Sequence, residues 1–240
     1  GGTFVYKALN IATDELLKPS AGAQNEYGFR NFRPDIPVIM VIMSDGQTHY
    51  EEDDLPLGTR LQKAIAQING TETIRTVFQV GNNPNGDILK QLATKIDDDV
   101  IKNKDIVRPN DQNELLYTLQ CHDQLSGGST KLSDTVADQI REEIIKYVPC
   151  QCRPGTTTTT TTSTTTTMTT TTLQPCYKDV VFVIDDSTSI YDPEFCGTPA
   201  RYSSIIDFVK GTVGGLAHEI DAGYVRIGAV RFASNASTVL

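Results

Sequence analysis

The chain has 240 residues, enough for one large or two small domains, and its formal net charge is −9. This acidic balance argues against a basic surface for nucleic acid and against a polybasic membrane-binding patch. No stretch approaches the roughly 18–20 apolar residues of a membrane span, so we expect no span in this chain. Hydrophobic residues make up only 38%, partly because residues 156–172 contain 15 Thr, one Ser and one Met.

The Thr-rich tract divides the sequence into a first region (residues 1–149), a linker (150–176) and a second region (177–240). The tract has almost no apolar side chains whose burial could offset the entropy lost when the tract is ordered. We therefore predict that it is a spacer. A tract of Thr and Ser with flanking Pro also favours O-glycosylation.

Hydrophobic patterns predict alternating helices and strands in both regions. In the first region, we predict helices at residues 7–18, 56–68, 87–96, 114–120 and 133–148, and strands at 36–43, 73–80 and 106–107. In the second region, we predict strands at 180–184, 225–232 and 237–240 and a helix at 202–216. The alternation predicts an α/β fold with a Rossmann-like, doubly wound and mostly parallel sheet.

Cysteines and sequons indicate an extracellular protein, either secreted or on the cell surface. Five cysteines are an odd number for a secreted chain, so at least one is expected to have its partner elsewhere; the disulfide candidates are Cys121, Cys150, Cys152, Cys176 and Cys196. Asn69 and Asn235 each begin an Asn-x-Ser/Thr glycosylation sequon. Together with the Thr-rich tract, these features favour an oxidising compartment.

The most specific chemical signal is the pattern Asp-x-Ser-x-Ser formed by Asp185, Ser187 and Ser189, directly after an apolar strand. Ligands of open α/β sheets bind at the carboxyl ends of the strands. A carboxylate and two hydroxyls are hard oxygen ligands that suit Mg²⁺, or Mn²⁺ in its place. Taken alone, the motif is equally compatible with a Ser-rich turn that caps the next helix.

Two further segments sharpen this interpretation. Thr3 follows two glycines just before the first predicted helix, and Asp45 lies in a Ser-Asp-Gly loop after the strand at residues 36–43. With the Asp-x-Ser-x-Ser loop, this set resembles the von Willebrand factor A domain family, also called the integrin I domain. The resemblance covers nearly everything outside the linker. Ser44 stands where the family often has Thr, and Val5 replaces a second Thr common in the Gly-x-Thr loop.

The resemblance implies a metal-ion-dependent adhesion site with Asp185, Ser187, Ser189, Thr3 and Asp45 as its ligand set. In the family, the metal captures an Asp or Glu of a partner protein, so the implied role is adhesion and not catalysis. The motif order is inverted here, which implies the carboxyl-terminal part of one A domain followed by the amino-terminal part of another. Cysteines flanking A domains often join the two ends of the fold, so Cys150, Cys152 and Cys176 are expected either to have partners outside this chain or to pair with each other.

The family's sheet has the order 3-2-1-4-5-6 with strand 3 antiparallel, and the inversion places strands 4 to 6 before strands 1 to 3. Strands 1 and 4, at residues 180–184 and 38–43, would each leave an apolar, unpaired edge in isolation. We therefore hypothesise that they pair and form one permuted composite domain.

The alternative function is a mucin-like, cuticle or matrix component whose A domains assemble without metal. Because no dinucleotide-binding pattern or nucleophile elbow is present, we do not expect an enzyme.

Overall fold

Two apolar strands, one from each region, form the centre of the fold. The computed structural model describes residues 4–17, 38–48, 58–71, 73–80, 86–95, 114–119, 177–187 and 201–238. β1 (Val38–Ser44) and β4 (Lys178–Asp185) are buried along their whole length and pair in parallel, with Ile39 opposite Val180 and Ile42 opposite Val183. The pairing expected between these strands is therefore confirmed.

The remaining elements extend from this centre in both directions. The first region supplies α1 (Val5–Ile11), α2 (Thr59–Asn69), β2 (Thr73–Val80), α3 (Gly86–Leu92) and β3 (Leu116–Leu119). The second region supplies α4 (Arg201–Gly215), α5 (Ala217–Asp221), β5 (Val225–Phe232) and β6 (Ala236–Thr238). The six-stranded sheet has the order β3-β2-β1-β4-β5-β6, and only β6 is antiparallel to its neighbour. The expectation of an α/β fold with a mostly parallel sheet is confirmed.

Alternating residues of the strands pack against helices on opposite faces of the sheet. On one face, Met40 of β1 and Val183 of β4 pack with α1, α2 and α3. On the other face, Val41 and Phe182 pack in a cluster with residues of α4. Burial on both faces explains why the central strands have continuous apolar sequences.

Two predicted elements require correction. Residues 114–120 were expected to form a helix, but residues 116–119 form β3, which pairs in parallel with the end of β2. The helical expectation was wrong because a segment this short has little helical stability of its own, while the sheet edge offers hydrogen bonds and a stacked contact between Tyr117 and Phe78.

The first helix is α-helical only to Ile11 and continues as a wider π-helical segment, Ala12–Leu17, in which the Thr13 hydroxyl donates to Leu9 O. The predicted strand at 106–107, the helix at 133–148 and the linker at 150–176 lie outside the described residues.

One buried cation holds the ends of two helices against β2. The Arg75 guanidinium donates to the carbonyl of Leu92, the last residue of α3, at 2.8 Å, and to Thr73 O at 2.9 Å. It also donates to Ile68 O near the end of α2 at 3.4 Å. Carbonyls at helix carboxyl termini carry partial negative charge, so they compensate the buried positive charge.

We predict that Phe182→Ala lowers the free energy of unfolding by about 3–5 kcal/mol, because it leaves a cavity in the hydrophobic core beside β4. Urea denaturation checks this, with Gln67→Ala on the exposed face of α2 as the control. Because both regions share one sheet, we expect a single transition that shifts as a whole. Two transitions, of which only one shifts, would contradict the shared core.

Candidate functional site

The site lies where the chain reverses its direction of winding across the sheet. From β1 the first region proceeds outward through β2 to β3, whereas from β4 the second region proceeds to the opposite edge. The carboxyl ends of β1 and β4 therefore form a topological switch point, where open α/β sheets bind ligands. The predicted residues Asp45 and Asp185 lie at these two ends.

A direct hydrogen bond joins the two halves of the site. Ser44 is the last residue of β1 and Asp185 the last of β4, and both are completely buried. The Ser44 hydroxyl donates to Asp185 Oδ2 at 2.7 Å, and the Gly46 amide donates to Ser44 Oγ at 3.1 Å. Ser44 therefore orients the central carboxylate across the boundary between the regions.

Each carboxylate also shapes the loop that follows it. The Gln47 amide donates to Asp45 Oδ1 at 2.8 Å, and the Ser187 amide donates to Asp185 Oδ1 at 2.9 Å. In both cases the donor lies two residues after the acid, which is the geometry of an Asx turn. Gly46 has φ of 77°, a left-handed conformation that side chains other than glycine rarely adopt. These local bonds turn both loops sharply at the end of the sheet.

The electrostatics of the site disfavour an ionised Asp185 in the absence of a cation. Burial raises the pKa of the Asp185 carboxyl to about 7, and the negative charge of Asp45 acts in the same direction. Hydrogen bonds from Ser44 and Ser187 favour the ionised form but do not outweigh these two effects. A divalent cation beside both carboxylates would reverse the balance, because it stabilises both negative charges.

The donor chemistry fits a hard cation. Asp45, Asp185 and Ser187 are buried and offer carboxylate and hydroxyl oxygens, which are the ligand types that Mg²⁺ and Mn²⁺ prefer. Within the described ranges, no group of three or more His, Cys, Asp and Glu side chains is arranged to hold a metal. The candidate set consists of two acids and the Ser187 hydroxyl. Thr3 and Ser189, the other two predicted ligands, lie outside the described residues.

The backbone next to Thr3 is nevertheless tied to the same end of the sheet. Phe4 N donates to Ala233 O, just after β5, at 3.0 Å. Asp186 N, directly after β4, donates to Phe232 O at 2.7 Å. The start of α1 and the beginning of the Asp-x-Ser-x-Ser loop are therefore both anchored to the carboxyl end of β5.

The other predicted residues are only partly described. Both sequon asparagines are exposed: Asn69 ends α2, where its side-chain amide donates to Gln91 O at 3.3 Å, and Asn235 lies in the turn between β5 and β6. The disulfide candidates Cys121, Cys150, Cys152, Cys176 and Cys196 all lie outside the described residues.

Sequence reasoning missed two polar interactions at the site. In the loop motif Ser44 only replaces a Thr, whereas in the structure its hydroxyl is the direct partner of Asp185. Arg231 forms an ion pair with Asp186, with 3.2 Å between Nε and Oδ2. The contact of Ser44 could have been predicted, because Ser44 lies at the end of a strand that is expected to pair with β4. The ion pair of Arg231 could not be predicted, because it depends on the register between β4 and β5.

No protein-family model, curated protein or solved structure matches this chain. None of the helices in the described ranges is both long and apolar enough to span a membrane.

We predict that the metal-free protein loses stability as the pH rises from about 4 to about 7. In this window the unfolded Asp185 carboxyl has lost its proton while the folded one retains it, and each pKa unit of difference corresponds to about 1.4 kcal/mol. Above about pH 7 both states are ionised and this contribution levels off. Asp185→Asn should make this decline less steep and raise the melting temperature at pH 7.5 in EDTA.

The matched control is Asp207→Asn, which removes an exposed carboxylate on α4. Thermal denaturation in EDTA across the pH range measures both variants. If Asp185→Asn leaves the pH slope unchanged, Asp185 does not carry this electrostatic penalty.

Proposed function

We propose that this chain is a von Willebrand factor A-type adhesion module that binds Mg²⁺, or Mn²⁺, between β1 and β4 and through it an acidic residue of an extracellular partner protein. The proposal depends most on the Ser44–Asp185 hydrogen bond, which brings the Asp-x-Ser-x-Ser loop of one region to the Ser-Asp-Gly loop of the other. These two loops supply three of the five ligands that the sequence resemblance implies: Asp45, Asp185 and Ser187.

The order of the strands supports the family assignment. From one edge, the sheet reads β6-β5-β4-β1-β2-β3, and β6 is antiparallel. This order corresponds to 3-2-1-4-5-6 if the second region supplies strands 1 to 3 and the first region strands 4 to 6. The correspondence favours a permuted A-type sheet in which the site combines residues from both regions.

The buried acids support a binding role for a cation. Two carboxylates lie close enough at the end of the sheet for the charge of Asp45 to raise the pKa of Asp185. Such an arrangement is unfavourable in a metal-free protein and favourable beside a divalent cation. Hence the electrostatic cost of the folded site is offset when the cation binds.

In the proposed site, some of the described residues provide negative charge and others orient the carboxylates. Asp45 and Asp185 supply negative charge, while Ser44 and the Ser187 amide hold the Asp185 oxygens in place. Asp45, Asp185 and Ser187 would hold the cation, which would supply a positive centre that a partner's carboxylate can bind. Such recognition would make and break no covalent bond, so we propose a binding protein and not an enzyme.

Surface features support the extracellular part of the proposal. Asn235 of the second sequon is exposed in a turn, where an oligosaccharide would not disturb the core. Glycosylation at Asn235 and along the Thr-rich tract would place the protein in the secretory pathway, either secreted or on the cell surface.

We predict that saturating Mg²⁺ raises the melting temperature at pH 7.5 by several degrees, because a ligand that binds only the folded state stabilises it. EDTA should reverse the shift, and both Asp185→Asn and Asp45→Asn should abolish it. Mg²⁺ affinity should also increase as the pH rises through about 7, because the cation must displace the proton from Asp185. Isothermal titration calorimetry at several pH values measures this dependence.

Asp179→Asn serves as the control, since this residue lies at the opposite end of β4. A wild-type protein that is unaffected by Mg²⁺ and Mn²⁺ would contradict the proposal. It would favour the alternative, a mucin-like or matrix component that assembles without metal.

We predict that Ser44→Ala weakens Mg²⁺ binding by about 10-fold or more, because the Asp185 carboxylate loses the hydroxyl that orients it. Ser44→Thr retains a hydroxyl and should preserve most of the affinity. Calorimetric titration of both variants measures the difference. Equal affinities for Ala and Thr at this position would show that the hydroxyl has no part in binding.

A further inference from the structure

A tight turn that carries one of the two glycosylation sequons lies at the same end of the sheet as the candidate metal site. Phe232 of β5 is the register partner of both Asp185 of β4 and Ala236 of β6, so residues 233–235 connect β5 to β6. Asn235 is the last of them and is exposed. Paired Cα atoms are about 5 Å apart and consecutive ones about 3.8 Å, so the Cα atoms of Asn235 and Asp185 lie within about 15 Å of each other, whichever way their side chains point.

Backbone hydrogen bonds fix this turn in position. Within the turn, Ala233 N donates to Asn235 O at 2.8 Å. Ala233 O accepts a hydrogen bond from Phe4 N, just before α1, at 3.0 Å, and Phe232 O accepts one from Asp186 N at 2.7 Å. A group attached to Asn235 therefore starts from a fixed position at the carboxyl end of the sheet.

We propose that an N-linked oligosaccharide on Asn235 restricts access to the metal site, so that the partner must present its acidic residue on a flexible, extended segment. The inference rests on the proposed function and adds a modification that selects the shape of the partner. Ligands of open α/β sheets bind outside the carboxyl ends of the strands, and an oligosaccharide is bulky and remains in solvent. A flat protein surface has to displace it, whereas a narrow segment can pass beside it.

The other sequon provides a matched comparison at the opposite end of the sheet. Asn69 is the last residue of α2, and β2 begins shortly after it at Thr73. Thr73 is the register partner of Val38, the first residue of β1, whereas Ser44 is the last. At about 3.3 Å per residue, the two ends of β1 are about 20 Å apart. An oligosaccharide on Asn69 therefore has the same chemistry but is attached at the end of the sheet remote from Asp185.

The test uses the full chain, secreted from mammalian cells with a cleavable signal peptide. Mass spectrometry of proteolytic peptides measures the occupancy of each sequon, and we expect Asn235 to be glycosylated. Binding in saturating Mg²⁺ is measured on biosensor surfaces that carry a Gly-Glu-Gly peptide on a linker of either about 2 or about 20 Gly and Ser residues. Signals from Gly-Gln-Gly surfaces and from EDTA are subtracted.

Loss of the oligosaccharide should increase binding to the short-linker surface by about 3- to 10-fold and change binding to the long-linker surface by less than about 2-fold. Asn235→Gln and Ser237→Ala both remove the sequon, so they should behave alike. Ser237→Thr retains the sequon and should behave as the wild type does. Asn69→Gln should change binding to neither surface.

The thermal shift induced by Mg²⁺ separates the possible failures. If this shift is present but Asn235 is not glycosylated, or glycosylation leaves binding to the short-linker surface unchanged, the inference is wrong while the metal site stands. If loss of the oligosaccharide increases binding to both surfaces equally, its charge and not its size opposes the peptide, which also overturns the inference.

Two further outcomes would contradict the inference. An effect of Asn235→Gln that Ser237→Ala does not reproduce would belong to the asparagine side chain and not to the oligosaccharide. If no form of the protein shows the Mg²⁺-induced shift or binds either surface, the proposed function fails and this inference falls with it.

Discussion

Backbone hydrogen bonds between β1 and β4 join two regions that the Thr-rich tract separates in sequence. Both strands are buried on both faces, so neither can leave its edge open to water without exposing apolar side chains and unpaired peptide groups. Their pairing joins the cores on the two sides of the sheet and aligns the two strand ends. The candidate site exists only because this alignment brings Ser44 to Asp185.

The same alignment creates an electrostatic conflict. A hydrophobic sheet buries Asp185 completely and places the charge of Asp45 near it, and both effects oppose ionisation. Hydrogen bonds from Ser44 and Ser187 reduce the conflict without removing it. Without a cation, this conflict lowers the stability of the folded protein at pH values where the unfolded Asp185 carboxyl is ionised.

The two ends of the sheet are chemically different. At the amino end, Arg226 and Asp179 pair across β4 and β5, and burial lowers the pKa of Lys178, with Glu219 acting in the opposite direction. At the carboxyl end, Asp45 and Asp185 lie close together, and Arg231 forms an ion pair with Asp186. Pairing of opposite charges stabilises strand ends, whereas the concentration of like charges is what a cation-binding site requires.

Elements whose signal is local could be predicted from the amino-acid sequence. The continuous apolar runs predicted β1 and β4, the β-branched and aromatic residues predicted β2, and the helical stripe of Leu61, Ala64, Ile65 and Ile68 predicted α2. The sequence motifs also proposed Asp45, Asp185 and Ser187 as candidate ligands, and Asp45 and Asp185 lie at the ends of adjacent strands. It could not predict β3, because the short segment at residues 116–119 becomes a strand only through its hydrogen bonds with β2. Nor could it assign Arg231 to Asp186, because this contact depends on the alignment of strands that are distant in sequence. Composition and periodicity act within a few residues, whereas strand register, burial and the pKa of a carboxylate are properties of the assembled sheet.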